Sequence, residues 1–104
     1  MPSDQMQSII DMMRANPPLG ERDVLVRRKE MEELAASAPL PADVTVEPVD
    51  AGGVAAERIA GPGSASDAWL LYVHGGAYVV GSLTTHRPHV ARLAAAIGCT
   101  ALNV

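Results

Sequence analysis

Six apolar residues in a row, Ala68-Trp69-Leu70-Leu71-Tyr72-Val73, run straight into His74-Gly75-Gly76-Ala77-Tyr78. No other stretch limits the fold of this chain as much. An unbroken apolar run of strand length fits a strand buried on both faces, as in a parallel sheet, rather than one with a wet side. A helical segment follows from about Thr85 to Ile97, with Gly98 placed as its C-terminal glycine. Thr100-Ala101-Leu102-Asn103-Val104 then reads as a second buried strand. Strand, helix, strand makes one βαβ unit, hence a parallel pair joined by a right-handed crossover.

The charges are distributed accordingly. Residues 68–104 carry only Arg87 and Arg92, whereas residues 1–67 carry 6 basic and 12 acidic side chains. A 37-residue segment with two charges has little to present to water and reads as the interior of something larger than itself. Length alone, 104 residues, points to one small domain, so these two signals pull apart. The hydrophobic share of 48% excludes a disordered tail. With no Phe, the core must come from Val, Leu, Ile, Met and Ala. The excess of acidic side chains argues against nucleic acid as a partner. No apolar run approaches the roughly 18 residues of a membrane span, and the first residues lack the basic start of a secretory signal. Cys99 is the lone cysteine, so no intrachain disulfide forms, which suits a reducing, cytoplasmic setting.

Ahead of the βαβ unit the sequence predicts two helices and a hairpin. Met6, Ile9, Ile10 and Met13 share one helical face, Ser3 or Asp4 can cap its start, and Asn16-Pro17-Pro18 stops it. Leu19-Gly20 is a connector. A second helix is expected from about Glu21 to Ala36, its apolar stripe marked by Val24, Met31, Leu34, Ala35 and Ala38. The run Arg27, Arg28, Lys29, Glu30, Glu32 and Glu33 reads as a solvated face with i,i+3 and i,i+4 pairs. Val44, Val46 and Val49, the turn Ala51-Gly52-Gly53, and Val54 to Ile59 suggest an antiparallel hairpin. Gly61-Pro62-Gly63-Ser64-Ala65-Ser66 is a loop by composition.

Ligands bind at the carboxyl ends of strands in open α/β sheets, and His74 to Tyr78 sits at such an end. Two glycines allow backbone angles closed to other residues and remove side chains that would keep a ligand from the peptide N–H groups. Such a loop can aim N–H donors at one point, as stabilisation of an oxyanion requires. A phosphate cradle is the second reading. Gly75, Gly76 and Gly81 match neither G-x-G-x-x-G nor G-x-x-x-x-G-K-[ST], and no lysine follows Lys29. The third is a plain tight connection, which the flanking His74 and Tyr78 make less apt.

The stretch from Leu70 to Val104 resembles the α/β-hydrolase fold, and within it the hormone-sensitive-lipase-like esterases and lipases. The matching residues are the strand, His74-Gly75-Gly76-Ala77-Tyr78, Gly81-Ser82, His86, the helix with Leu93-Ala94 ending near Gly98, and Asn103-Val104. The resemblance implies an α/β chain forming the N-terminal part of an α/β-hydrolase: two cap helices, an antiparallel β-hairpin, then one parallel βαβ unit. Residues 1–42 would be a helical arm contributing to the cap, and residues 43–104 the start of the core. It further implies that Gly75, Gly76 and Ala77 supply oxyanion-hole N–H groups, that His74 and His86 support the loop, and that Tyr78 lines the substrate pocket. Ala77 stands where many members have a third glycine. Because alanine reaches positive φ only at a cost, the loop is expected to use αR or β geometry there.

The implied reaction is hydrolysis of a small carboxylic ester by two-step acyl transfer through a serine, with no cofactor or metal. The partner would be the remainder of the hydrolase fold, in the same or another chain. None of the six serines lies in a G-x-S-x-G elbow. The resemblance implies that the nucleophile, acid and base lie beyond Val104, and the chain alone is expected to be inactive. The alternative is a non-catalytic or split-chain interaction module that works only when paired with another polypeptide. Cys99 reads as a small core residue. A metal site built from His86, His89 and either His74 or Cys99 is weaker than packing of His86 on the loop with His89 partly solvated. Arg87 and Arg92 are expected to face water.

Overall fold

The computed structural model describes residues 1–16 and 23–104. Pro17-Pro18, the Leu19-Gly20 connector and the expected Glu21 start of the second helix lie outside the described residues. The elements are α1 (Asp4–Ala15), α2 (Val24–Ala36), β1 (Thr45–Asp50), β2 (Ala55–Ala60), β3 (Ala65–Tyr72), α3 (Leu83–Ile97) and β4 (Cys99–Asn103). Each helix starts where a short polar side chain satisfies free N–H groups. Ser3 Oγ accepts from the Met6 amide, and Asp23 Oδ1 accepts from Leu25 and Val26. Ser82 and Thr85 form a reciprocal capping box on α3. Gly98, at φ 75°, closes α3 in the left-handed region.

The four strands form one sheet in the order β1-β2-β4-β3. β1 and β2 are the expected antiparallel hairpin, with Gly52 and Gly53 at positive φ and Asp50 Oδ1 accepting from the Gly53 amide. β2 pairs antiparallel with β4, and β3 pairs parallel with β4 across the α3 crossover. The sheet is therefore mixed, its parallel pair confined to the βαβ unit. β3 begins earlier than its apolar run suggests. Ala65 already pairs with Cys99, and the register shifts between Ala65 and Trp69. The loop before it thus shrinks to Gly61–Ser64, held by Ser64 Oγ donating to the carbonyls of Gly61 and Cys99.

α3 covers one face of the sheet. Val90, Ala91 and Ala94 pack on Ile59 and Ala101, with Val44, Val46, Leu70 and Tyr72 around them. The alanines let the helix axis approach closely, so a core without phenylalanine still closes. Period-two alternation turns the other residues of the apolar run away. Trp69, Leu71 and Val73 lie on the opposite face and are 57%, 65% and 69% exposed, so the expected double-sided burial is not met within this chain. The Arg58 guanidinium sits 5.9 Å from the Trp69 ring centroid, a cation–π distance.

The arm differs more from its sequence pattern. Of the α2 stripe, Val24, Met31 and Leu34 are exposed, and only Ala35 and the following Ala38 are half-buried. α2 packs on α3. Lys29 and Glu33 form the i,i+4 pair expected of a solvated face.

Arg87 does not face water. Its Nε donates to both carboxylate oxygens of Glu57, at 3.0 and 3.1 Å, and its Nη2 also reaches Oε1. Glu57 is 6% exposed, on the sheet face that α3 covers, and Asn103 Nδ2 donates to it and to the Leu83 carbonyl. One carboxylate thereby ties β2, β4 and the first turns of α3 together. The Glu57 hydrogen bond raises the Arg87 pKa above its ordinary value, against an opposing effect of burial. A cation with a raised folded-state pKa contributes its stability below its ordinary pKa, so the Arg87 contribution is present at neutral pH and is lost as the pH rises into strong alkali. Arg87→Ala strands a buried carboxylate and is expected to cost about 3 kcal/mol. Arg87→Lys, which cannot span both oxygens, should cost less; denaturant unfolding of the two variants checks the order.

Candidate active site

The loop after β3 starts from a fixed point. The Val104 amide donates to the Tyr72 carbonyl at 2.9 Å and the His74 amide to the Val104 carbonyl at 3.5 Å, carrying the parallel pairing past the end of both strands. From there the backbone turns sharply. Gly76 has φ 132°, and Ala77 and Tyr78 follow at 54° and 60°. The Gly76 carbonyl accepts from both Val79 and Val80, at 3.0 and 3.1 Å.

The expectation of αR or β geometry at Ala77 is therefore wrong. Two adjacent non-glycine residues occupy the left-handed region, at a cost of about 1–3 kcal/mol each. In this conformation the turn folds the amides of Val79 and Val80 back onto the Gly76 carbonyl. Its consequence is chemical. Among the described residues nothing accepts a hydrogen bond from the N–H groups of Gly75, Gly76 or Ala77. Gly75 and Ala77 are exposed and Gly76 is half-buried. Three consecutive peptide donors are thus left uncommitted at the carboxyl end of a strand, an arrangement suited to an anionic oxygen.

The glycines here are required by space as well as by angle. A Cβ on Gly76 would overlap the Val80 carbonyl, and one on Gly81 would lie 2.6 Å from both the Gly75 carbonyl oxygen and His74 Nδ1. His74 Nδ1 lies 2.7 Å from the Gly75 carbonyl. A carbonyl only accepts, so His74 carries its proton on Nδ1 in this contact. The His74 ring stacks on His86, with centroids 5.2 Å apart, and His86 Nδ1 lies 2.8 Å from Thr85 Oγ1 in the α3 capping box. Tyr72 stands against both His86 and the exposed His89. The structure thus gathers Gly75, Gly76, Ala77, His74 and His86 in one place. Tyr78 is fully exposed and does not line the cleft between α2 and α3. Cys99 is buried at the start of β4, and Arg92 is exposed, reaching the Pro39 carbonyl.

Sequence reasoning missed one contact at this site. Arg28, assigned to a solvated helix face, donates from Nε to the Val79 carbonyl at 2.7 Å. No local pattern signals it, because the partner is a backbone atom 51 residues away. An open cleft of about 450 Å³ lies between α2 and α3, lined mainly by Met31, Leu34, Ala35, His86, Pro88 and His89.

Known proteins resemble this chain in sequence and in fold. Residues 70–104 match a family described as alpha/beta hydrolase fold. LipR of Mycobacterium tuberculosis, which its name places among the acetyl-hydrolases, is 41% identical over 76 residues, covering 73% of this chain and 25% of LipR. An acetyl esterase of Salmonella paratyphi B is 30% identical over 109 residues, covering 98% of this chain and 33% of that protein. The chain therefore spans a quarter to a third of these curated relatives. Among solved structures, an esterase from the bacterial hormone-sensitive lipase family superposes with a TM-score of 0.83 at 36% identity, covering 99% of this chain and 35% of the esterase. EstE5-PMSF superposes at 0.85 with 34% identity, covering 98% of this chain and 35% of EstE5.

The loop geometry sets opposite expectations for two neighbouring substitutions. Gly76→Ala forces the Val80 carbonyl to move and should destabilise by about 3 kcal/mol or more. Ala77→Gly removes left-handed strain and should stabilise by about 1 kcal/mol once the entropy of glycine is deducted. Thermal unfolding of the two variants beside the parent would reveal the opposite signs.

Proposed function

We propose, for a chain that is a segment of a hormone-sensitive-lipase-like α/β-hydrolase, that it serves a carboxylic-ester hydrolase acting by serine acyl transfer. Its own contribution is the oxyanion-hole loop, together with part of the cap from residues 1–42. The observation that carries this reading is the left-handed turn, which leaves the amides of Gly75, Gly76 and Ala77 uncommitted while His74 and Gly81 fill the space behind them. The names of similar proteins support the reaction class: acetyl-hydrolase, acetyl esterase, and esterase of the hormone-sensitive lipase family.

The chemistry divides between this loop and the rest of the fold. A serine oxygen attacks the ester carbonyl, and the carbonyl oxygen takes the negative charge. The amides of Gly75, Gly76 and Ala77 donate to that oxygen. They sit in place beforehand, so little reorganisation opposes the charge as it develops; one such donor is worth roughly 3–4 kcal/mol. The alcohol leaves with a proton from the base, and water then releases the acid from the acyl-serine. His74 and His86 hold the loop, and Tyr78 borders the substrate. The serine, its base and its acid come from protein outside these residues, since none of the six serines stands in a G-x-S-x-G turn. The exposed Trp69, Leu71 and Val73 give that further protein an apolar face to cover. No helix among the described residues is long and apolar enough to cross a membrane.

The purified 104-residue chain is expected to hydrolyse a p-nitrophenyl ester no faster than background, whereas the protein with its remaining fold should hydrolyse short-chain esters and be silenced by a serine-directed phosphonate. Phosphonate-sensitive turnover by the 104 residues alone would overturn the division of labour. Absence of turnover by the assembled protein would favour a non-catalytic, paired module.

A further inference from the structure

We propose that Arg28 is a positioning residue for the oxyanion loop: its guanidinium, carried on α2, clamps the Val79 carbonyl and so holds the strained turn in its donor geometry. The inference rests on the proposed function, and it deepens that reading by making the arm part of the catalytic geometry rather than only a cover.

Three observations meet at this contact. The turn is held on its inner side by the amides of Val79 and Val80 bonding to Gly76. It carries two non-glycine residues at positive φ, a conformation that persists only where the surroundings impose it. The Val79 carbonyl shares a trans peptide plane with the Val80 amide; that amide is committed to Gly76, so the carbonyl faces away from the bonds that close the turn. Arg28 Nε donates to that carbonyl at 2.7 Å, a charge-assisted bond from a residue 51 positions away. If Arg28 lets go, the hold of its guanidinium on the loop no longer opposes relaxation of Ala77 and Tyr78 toward ordinary negative φ. That relaxation would swing the amides of Gly76 and Ala77 away from their common target. Arg28 touches no reacting atom in this arrangement; it acts through the backbone of the loop.

The position of the arm then bears on rate and not only on access. α2 meets the core mainly along α3. A shift of α2 large enough to break a 2.7 Å bond would release the turn without unfolding the sheet.

The test uses the assembled hydrolase and two readouts, steady-state kinetics on a p-nitrophenyl ester and backbone amide exchange at Val79 and Val80. Arg28→Ala is expected to lower kcat about tenfold with KM changed less than about twofold, the mark of an interaction that matters in the transition state. Amide exchange at Val79 and Val80 should rise about tenfold while exchange in α3 and β4 stays at the parent level. Arg28→Lys, which keeps the charge, should recover part of the loss. Adding Ala77→Gly to Arg28→Ala should also recover part of it, because glycine holds positive φ without an external clamp. Unchanged exchange at Val79 and Val80 in Arg28→Ala would overturn the proposal. So would exchange rising equally across α2, α3 and β4, which marks a purely structural role. If the protein hydrolyses no ester, the proposed function fails, yet the exchange measurement still decides whether Arg28 holds the turn.

Discussion

The close seat of α3 on the sheet is the constraint on which the rest depends. Val90, Ala91 and Ala94 meet Ile59 and Ala101 with no bulky side chain between them. That approach fixes where α3 begins, and the start of α3 carries Ser82, Thr85, His86 and Arg87. The first three of these support the glycine loop through the capping box and the His86–His74 stack. The fourth neutralises Glu57 beneath the helix. A bulkier residue at Ala91 or Ala94 would lift the helix and disturb loop and ion pair together, since overpacking in a closed core moves backbone.

Around this seat the chain accepts two unfavourable arrangements. One is a buried carboxylate, offset by a two-pronged arginine contact and an asparagine amide. The other is a left-handed turn through alanine and tyrosine. The first fixes the hairpin, β4 and α3 relative to each other. The second exposes three peptide donors at one place. Backbone strain concentrated beside unoccupied donors is the pattern expected of a site arranged before its ligand arrives.

Much of the core was legible from short-range pattern. The hairpin followed from valines around Gly52-Gly53, and the βαβ unit from two apolar runs flanking a helix that ends at Gly98. The glycine loop was legible as a sharp turn from its glycine pair at the end of a strand. The arm was less so. Helix α2 has polar and apolar residues so mixed that its stripe of Val24, Met31 and Leu34 stays exposed, while only Ala35 and the following Ala38 are half-buried. The start of β3 at Ala65 was hidden because Ala65-Ser66-Asp67 has the composition of a loop, and its pairing with β4 is a long-range event.

The sequence by itself determined which elements form and that Gly75-Gly76 would follow a strand in a sharp turn. Those properties arise from period, capping and turn chemistry within a few residues. Only the tertiary structure decided the hand of the turn at Ala77 and Tyr78, the withdrawal of Arg87 from water to Glu57, and the reach of Arg28 to the Val79 carbonyl. Each of these joins atoms 30 or more residues apart, or balances local strain against contacts made elsewhere. Local preference runs against all three, because alanine avoids positive φ and arginine favours solvent.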